Sequence, residues 1–274
     1  MTYSINTNVG ALVALQNLSN TQMDLQSTQS VISTGKKVNT AQDNAAAWSI
    51  ANTMTGKVAA YDAVKDSLNR ATSTVDVAMS AGQQVADLLT QLKAQALAGS
   101  DSSLDATSRS SINNNFKSLL TELSDVVNNA SFNGVNMVNA GGTTIYALAS
   151  DTGTKITVAA QSLALGGANV TIAAAASFAT AAAASAYVAT LTTDITNVNT
   201  ALSALGTGAS TLASQLKFVS GLQNTLNTGI SNLVDADMAA ESAQLQALQT
   251  KQQLGIQALS IANQSTSAML SLFR

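Results

Sequence analysis

Apolar residues keep to one helical face for an unusually long run between Ala45 and Ala98. Ala51, Met54, Val58, Tyr61, Val64, Leu68, Ala71, Val75, Ala78, Gly82, Val85, Leu89 and Leu92 follow one another at steps of three or four, the spacing of a single helix face. Such a helix is roughly 75 Å long, whereas a compact domain of this chain length has a radius of gyration of only about 19 Å. The pattern therefore predicts a mainly α, elongated antiparallel helical bundle or coiled coil.

A weaker helix is predicted ahead of this run, from Val9 to Ile32. Leu18, Leu25 and Ile32 fall seven apart, preceded by Leu12 and Leu15 and separated by several glutamines; alone, so sparsely apolar a helix is marginal. Gly35 breaks it, and Asp43 or Asn44 is placed to cap the long helix. The turn cluster Gly99 to Ser103 stops that helix. Ile112, Phe116, Leu119, Leu123, Val126 and Ala130 then predict a second amphipathic helix ending at Asn128-Asn129. The short connection makes the two an αα-hairpin. Phe132-Asn133-Gly134 is a turn signal. Between Thr143 and Ala175 the period becomes β-like at Thr143 to Tyr146, Lys155 to Val158 and Val170 to Ile172, predicting a small region of two or three strands.

The alanine-rich run Ala173 to Ala186 is expected to start another helix. Leu191, Ile195, Val198, Leu202 and Leu205 carry it on, Gly206 and Gly208 should loosen it, and Leu212 to Leu233 resume the stripe. It should pack antiparallel to the first long helix. In the last segment, Asp235 to Arg274, one stripe runs Leu245, Leu248, Gln252, Ile256, Leu259, Asn263, Thr266, Leu270, Phe273, while Leu254, Ile261, Met269 and Leu272 lie off it. A helix apolar on more than one side needs partners on more than one side. The surplus points to contact with other subunits.

Composition narrows the chemistry. Proline, histidine and cysteine are all absent, where average usage would give about fourteen prolines. Long helices thus meet no breaker, thiol and disulfide chemistry is excluded, and the commonest general base and metal ligand is missing. Only 4% of residues are aromatic although 46% are hydrophobic, so packing must be repeated and shallow. A net charge of -3 with 10% charged residues makes no footprint for nucleic acid. No apolar run approaches the 18 or so residues of a membrane span, so no membrane insertion is expected. Met1 to Asn6 has no positive n-region and Ala11 to Leu15 is too short for an h-region, so an ordinary cleaved signal peptide is not expected.

Candidate sites are weak. Asp235, Asp237 and Glu241 form the best carboxylate cluster, but without a neutral ligand or EF-hand spacing they read as acidic residues opening the terminal helix. Gly206-Thr207-Gly208 lacks the third glycine, the preceding strand and the following lysine of a phosphate loop. Asn129-Ala130-Ser131, Asn169-Val170-Thr171 and Asn263-Gln264-Ser265 match a glycosylation sequon, and Trp48 reads as core or interface packing. No catalytic residue, cofactor or metal is expected, and the chain does not read as an enzyme.

The two ends together resemble bacterial flagellin. Ile5-Asn6-Thr7-Asn8 is similar to the family's opening, and Ile32-Ser33-Thr34-Gly35-Lys36-Lys37-Val38-Asn39-Thr40-Ala41-Gln42-Asp43-Asn44-Ala45-Ala46 to its most characteristic N-terminal motif. Phe132-Asn133-Gly134-Val135, Asp235-Ala236-Asp237-Met238-Ala239, Gln252-Gln253-Leu254-Gly255, Ala262-Asn263-Gln264 and Leu270-Ser271-Leu272 follow in the family's order. The resemblance implies a structural subunit that self-assembles into the flagellar filament for swimming motility. The alternatives are a hook–filament junction protein of the same family or, from a different class, an intracellular helical scaffold. It implies five regions: 1–42, an N-terminal polymerisation helix of the inner tube; 43–140, the first half of a spoke domain; 141–176, a short strand region; 177–234, the second half of the spoke; and 235–274, a C-terminal polymerisation helix. The terminal helices would be disordered in the monomer and order on polymerisation. Leu12, Leu15, Leu18, Leu25, Ile32, Leu245, Leu248, Ile256, Leu259, Leu270 and Phe273 would form the polymerisation interface. The implied partners are further copies of itself, sister flagellins, a flagellar export chaperone, and cap and hook-junction proteins. The implied location is the extracellular flagellum, reached through the type III channel without a cleaved signal peptide. A middle segment this short implies a form lacking large variable outer domains.

Overall fold

The computed structural model describes residues 7–271, with side-chain surroundings given up to Gln264. The protein is mainly α. Its elements are α1 (Val9–Thr34), α2 (Ala45–Gly99), α3 (Ala106–Asn129), β1 (Ser131–Phe132), β2 (Val135–Asn136), β3 (Ile145–Leu148), β4 (Lys155–Val158), α4 (Ala181–Val234) and α5 (Met238–Ser271). The chain divides into two compact units, Met1–Gly56 with Thr225–Arg274 and Lys57–Asn224.

Helix ends fall where the chemistry puts them. Asn8 opens α1, its side chain accepting from the Ala11 N–H at 3.1 Å. Gly35 closes it at φ 70, a left-handed conformation that glycine adopts without penalty. Of the two candidate caps for α2, Asn44 accepts the Ala47 N–H at 3.0 Å. Asp43 instead ties down the preceding turn through the Asn39 and Thr40 N–H groups. Those backbone bonds, Thr40's first, hold its carboxyl below the usual 3.8. Asp105 caps α3 through Ser108, and Asp237 caps α5 through Ala239 and Ala240.

In the first unit α1 and α5 run antiparallel, as the Asn8 side chain donating to the Ala262 carbonyl at 2.8 Å and the Lys36–Asp235 bridge at the opposite ends require. The segment after α1 zips onto the end of α4: Lys37 N–H and Val38 N–H both donate to the Val234 carbonyl, and Ala236 N–H to that of Gly35. Val38, Ala51 and Val234 are buried there, with Ala47, Ile230 and Leu233 packed around them.

In the second unit α2 and α4 also run antiparallel. The Gln223 amide donates to the Val58 carbonyl and to Asp62, and Leu202 packs where Gly82 leaves room. The predicted stripe of α2 is its core: Val64, Leu68, Ala71, Val75, Ala78, Val85, Leu89 and Leu92 are all buried. Arg109 secures the α2–α3 turn, its guanidinium donating to the carbonyls of Gly99, Asp101 and Leu104, and so satisfies orphan acceptors at the end of α2. Asn133 (φ 49) and Gly134 (φ 77) form the turn of the β1–β2 hairpin, both left-handed as a primed hairpin turn demands. The buried Asn136 fixes that hairpin to α3, donating to Val127 and accepting from the Val138 and Asn139 N–H groups.

Three expectations are corrected. The alanine run does not open a helix at Ala173: α4 begins at Ala181. Phe178 is buried against Phe116, its N–H held by the Asn113 side chain, and the Thr180 hydroxyl then caps the helix through Ala183. Tertiary anchoring overrides alanine's propensity here. Val170 to Ile172 forms no strand, only an isolated bridge from Val170 to Leu165, because a buried carboxylate, Asp194, takes the N–H groups of Thr171 and Ile172 that a partner strand would need. Gly206 and Gly208 do not loosen α4, which is continuous through both. Gly208 leaves room for Val158 of β4, whose Cγ1 would stand 2.6 Å from an added Cβ.

Candidate assembly surface

The predicted interface residues separate into two sets according to the α1–α5 seam. Along α1 the positions turned inward are Ala11, Ala14, Leu18, Thr21, Leu25, Thr28 and Ile32; along α5 they are Glu241, Leu245, Leu248, Gln252, Gly255, Leu259 and Ala262. Both runs alternate steps of three and four, the a/d pattern of a coiled coil. Leu18, Leu25, Ile32, Leu245, Leu248 and Leu259 therefore serve the intramolecular seam, with Leu248 only 6% exposed. The seam is thin: alanine, threonine, glutamine, glutamate and glycine fill the remaining positions, and Gly255 lies where an added Cβ would stand 3.2 Å from Leu18.

Leu12, Leu15 and Ile256 lie off the seam and are each more than half exposed. The heptad register passes through Ala11, Ala14 and Gly255 beside them. Val9, Val13, Met23, Leu254 and Ile261 are exposed with them. The Asn8–Ala262 bond and the Gly255–Leu18 approach set the register of the two helices. It brings Leu12 and Leu15 to the level of Leu254, Ile256 and Ile261. Large apolar side chains are thus exposed on both helices of the pair. Phe273 lies outside the described residues; Leu270 falls within α5, but its side chain lies outside them too.

No other chemistry gathers here. Among the described residues no group of three His, Cys, Asp or Glu side chains could hold a metal ion, and no helix is long and apolar enough to cross a membrane. Trp48 is on the surface of the first turns of α2, 38% exposed, rather than in the core.

The family model for the bacterial flagellin N-terminal helical region matches residues 5–143, and that for the bacterial flagellin C-terminal helical region matches residues 188–273. This chain belongs to the bacterial flagellin family. Similar flagellins run the full length: flagellin FljM of Caulobacter vibrioides is 48% identical over 99% of this chain and 98% of its own. A flagellin of Brucella melitensis is 38% identical over 99% of each. A crystal structure of Bacillus cereus flagellin shares the fold at a TM-score of 0.50 and 19% identity, covering 56% of this chain and 88% of that one. As a flagellin the chain is a structural subunit of the extracellular flagellar filament. The family models cover α1 to α3 at one end, and α4 from Val188 with α5 at the other, so both helices of the exposed apolar surface lie within them.

Proposed function

We propose that the α1–α5 pair is the polymerising part of this flagellin. Its seam residues hold the pair together, and its outward residues Leu12, Leu15 and Ile256 are covered by neighbouring copies. The family resemblance assigns Leu270 and Phe273 the same role. Residues 1–42 and 235–274 then form the inner tube, and 43–140 with 177–234 form a spoke outside it, with 141–176 as its strand-bearing cap. The observation that carries this reading is the number of large apolar side chains left exposed on both helices of a seam that holds few large residues. Burying them in neighbours supplies what the seam lacks, about 25 cal/mol per Å² of apolar surface removed from water, so ordering and assembly are coupled. Copies of itself and of sister flagellins are the partners of this surface. Export runs through the flagellar type III channel, with the export chaperone, cap and hook-junction proteins met on the way.

Leu15→Asp combined with Ile256→Asp tests this. Both positions are exposed, so the monomer should keep its helical circular dichroism, while elongation of wild-type seeds should fall at least tenfold because a charge would be buried unpaired. Leu248→Asp, inside the seam, should stop elongation as well, because the pair that orders on assembly could no longer close around a buried charge. Normal elongation by the double variant would overturn the reading.

A further inference from the structure

The unit Lys57–Asn224 carries two surface features that the reading above leaves unused. Between α2 and α3 lies a shallow groove of about 440 Å³. Val77, Ala81 and Val126 form its apolar floor, and the exposed Gln84, Glu122 and Asp125 its rim. On α4, Phe218 is 62% exposed, and next to it Lys217 is exposed as well. The antiparallel register set by Gln223 on Val58 and by Leu202 on Gly82 places Phe218 at the level of Lys65 and Asp66 on α2. Val77 lies a further twelve residues along the helix, about 18 Å, too far for one side chain to span.

We propose that Phe218 of one copy seats in the α2–α3 groove of a neighbouring copy, with its Lys217 facing Glu122 and Asp125 on the rim. The inference rests on the filament reading and adds to it a specific contact outside α1 and α5. Charge complementarity selects the occupant: a basic residue adjoins the exposed aromatic, and two acidic residues flank the apolar floor. Buried aromatic anchors with charged pairs at the rim are how protein interfaces concentrate affinity and orientation. Because knob and groove are different surfaces separated along the unit, the contact is heterologous, the kind that can propagate from copy to copy along an open helical polymer.

The absence of native cysteine allows a direct test. A chain carrying both Phe218→Cys and Gln84→Cys, polymerised and then oxidised by copper-catalysed air, should give a ladder of disulfide-linked multimers on a non-reducing gel, with the 84–218 link identified by peptide mass. The same chain oxidised as monomer should give no intrachain link; finding one would overturn the placement. If the double variant does not polymerise, wild-type seeds extended with a mixture of the two single variants should give the 84–218 dimer. Filaments that form without that link overturn this contact and leave the filament reading standing. Failure of the wild-type chain to elongate seeds would overturn the filament reading itself. Lys217→Glu should weaken elongation at low salt, with recovery when Glu122→Lys and Asp125→Lys are added in the same chain; no recovery would also count against the pairing.

Discussion

Asp194 is wholly buried, and its carboxylate accepts three hydrogen bonds: from the Thr171 N–H at 2.9 Å, the Thr171 hydroxyl at 2.7 Å and the Ile172 N–H at 3.1 Å. It replaces a strand ladder for a segment that would otherwise bury bare amides. Asp194→Ala strands two backbone donors, each costing about 1–3 kcal/mol, and should lower the thermal midpoint of the long-helix unit by several degrees. Asp194→Asn fills the same volume and keeps one acceptor oxygen, so it should lose distinctly less; equal losses in the two variants, followed by circular dichroism, would refute this account of the site. Phe178 works in a similar way at the other end of the same connection. Its ring packs edge-on to Phe116 at 5.2 Å and its N–H is taken by Asn113, which keeps five alanines out of a helix they would favour.

At the scale of the element, two glycines in α4 with the same intrinsic cost behave oppositely. Gly206 has nothing within 4 Å of an added Cβ, whereas at Gly208 that Cβ would meet Val158 at 2.6 Å. Alanine in a helix interior gains about 1 kcal/mol over glycine, so Gly206→Ala should raise the thermal midpoint. At Gly208 the gain is outweighed by overpacking, typically about 1–3 kcal/mol. Val158 is buried and β-branched, with little rotamer freedom to yield. Gly208→Ala should therefore lower the midpoint, and a rise in both variants would refute the close docking of β4 on α4. The α1–α5 seam is the opposite case, an element pair held by few large residues, with Thr21, Thr28 and Gln252 at positions where a stable coiled coil places leucine or isoleucine.

For the whole molecule the missing residue types matter most. Helices of 55 and 54 residues persist because no proline interrupts them, and the same absence removes prolyl isomerisation from folding. Refolding after dilution from denaturant should show no phase accelerated by a prolyl isomerase. A tens-of-seconds phase that responds to the enzyme would contradict this. For a filament subunit, folding unhindered by slow isomers is an advantage at the point of assembly.

Reading residues in order was enough for everything that depends on local periodicity and local chemistry. The span of α2, the α2–α3 hairpin, the turn at Asn133-Gly134, the strands β3 and β4 and the family motifs at both ends are fixed by residues close in sequence, where a period of 3.6 or 2 and a capping side chain carry the signal. The absence of proline, histidine and cysteine was equally plain. Tertiary packing decided the rest, because it depends on which neighbour arrives. Three- and four-residue steps allow Leu15 or Ala14, Ile256 or Gly255, onto one stripe, and only the approach of α5 to α1 selects the smaller of each pair for the seam and leaves the larger in water. Likewise Asp194 and Phe178 act across 22 and 65 residues of chain, a distance at which no periodicity reports that a carboxylate will displace a strand or a ring will delay a helix.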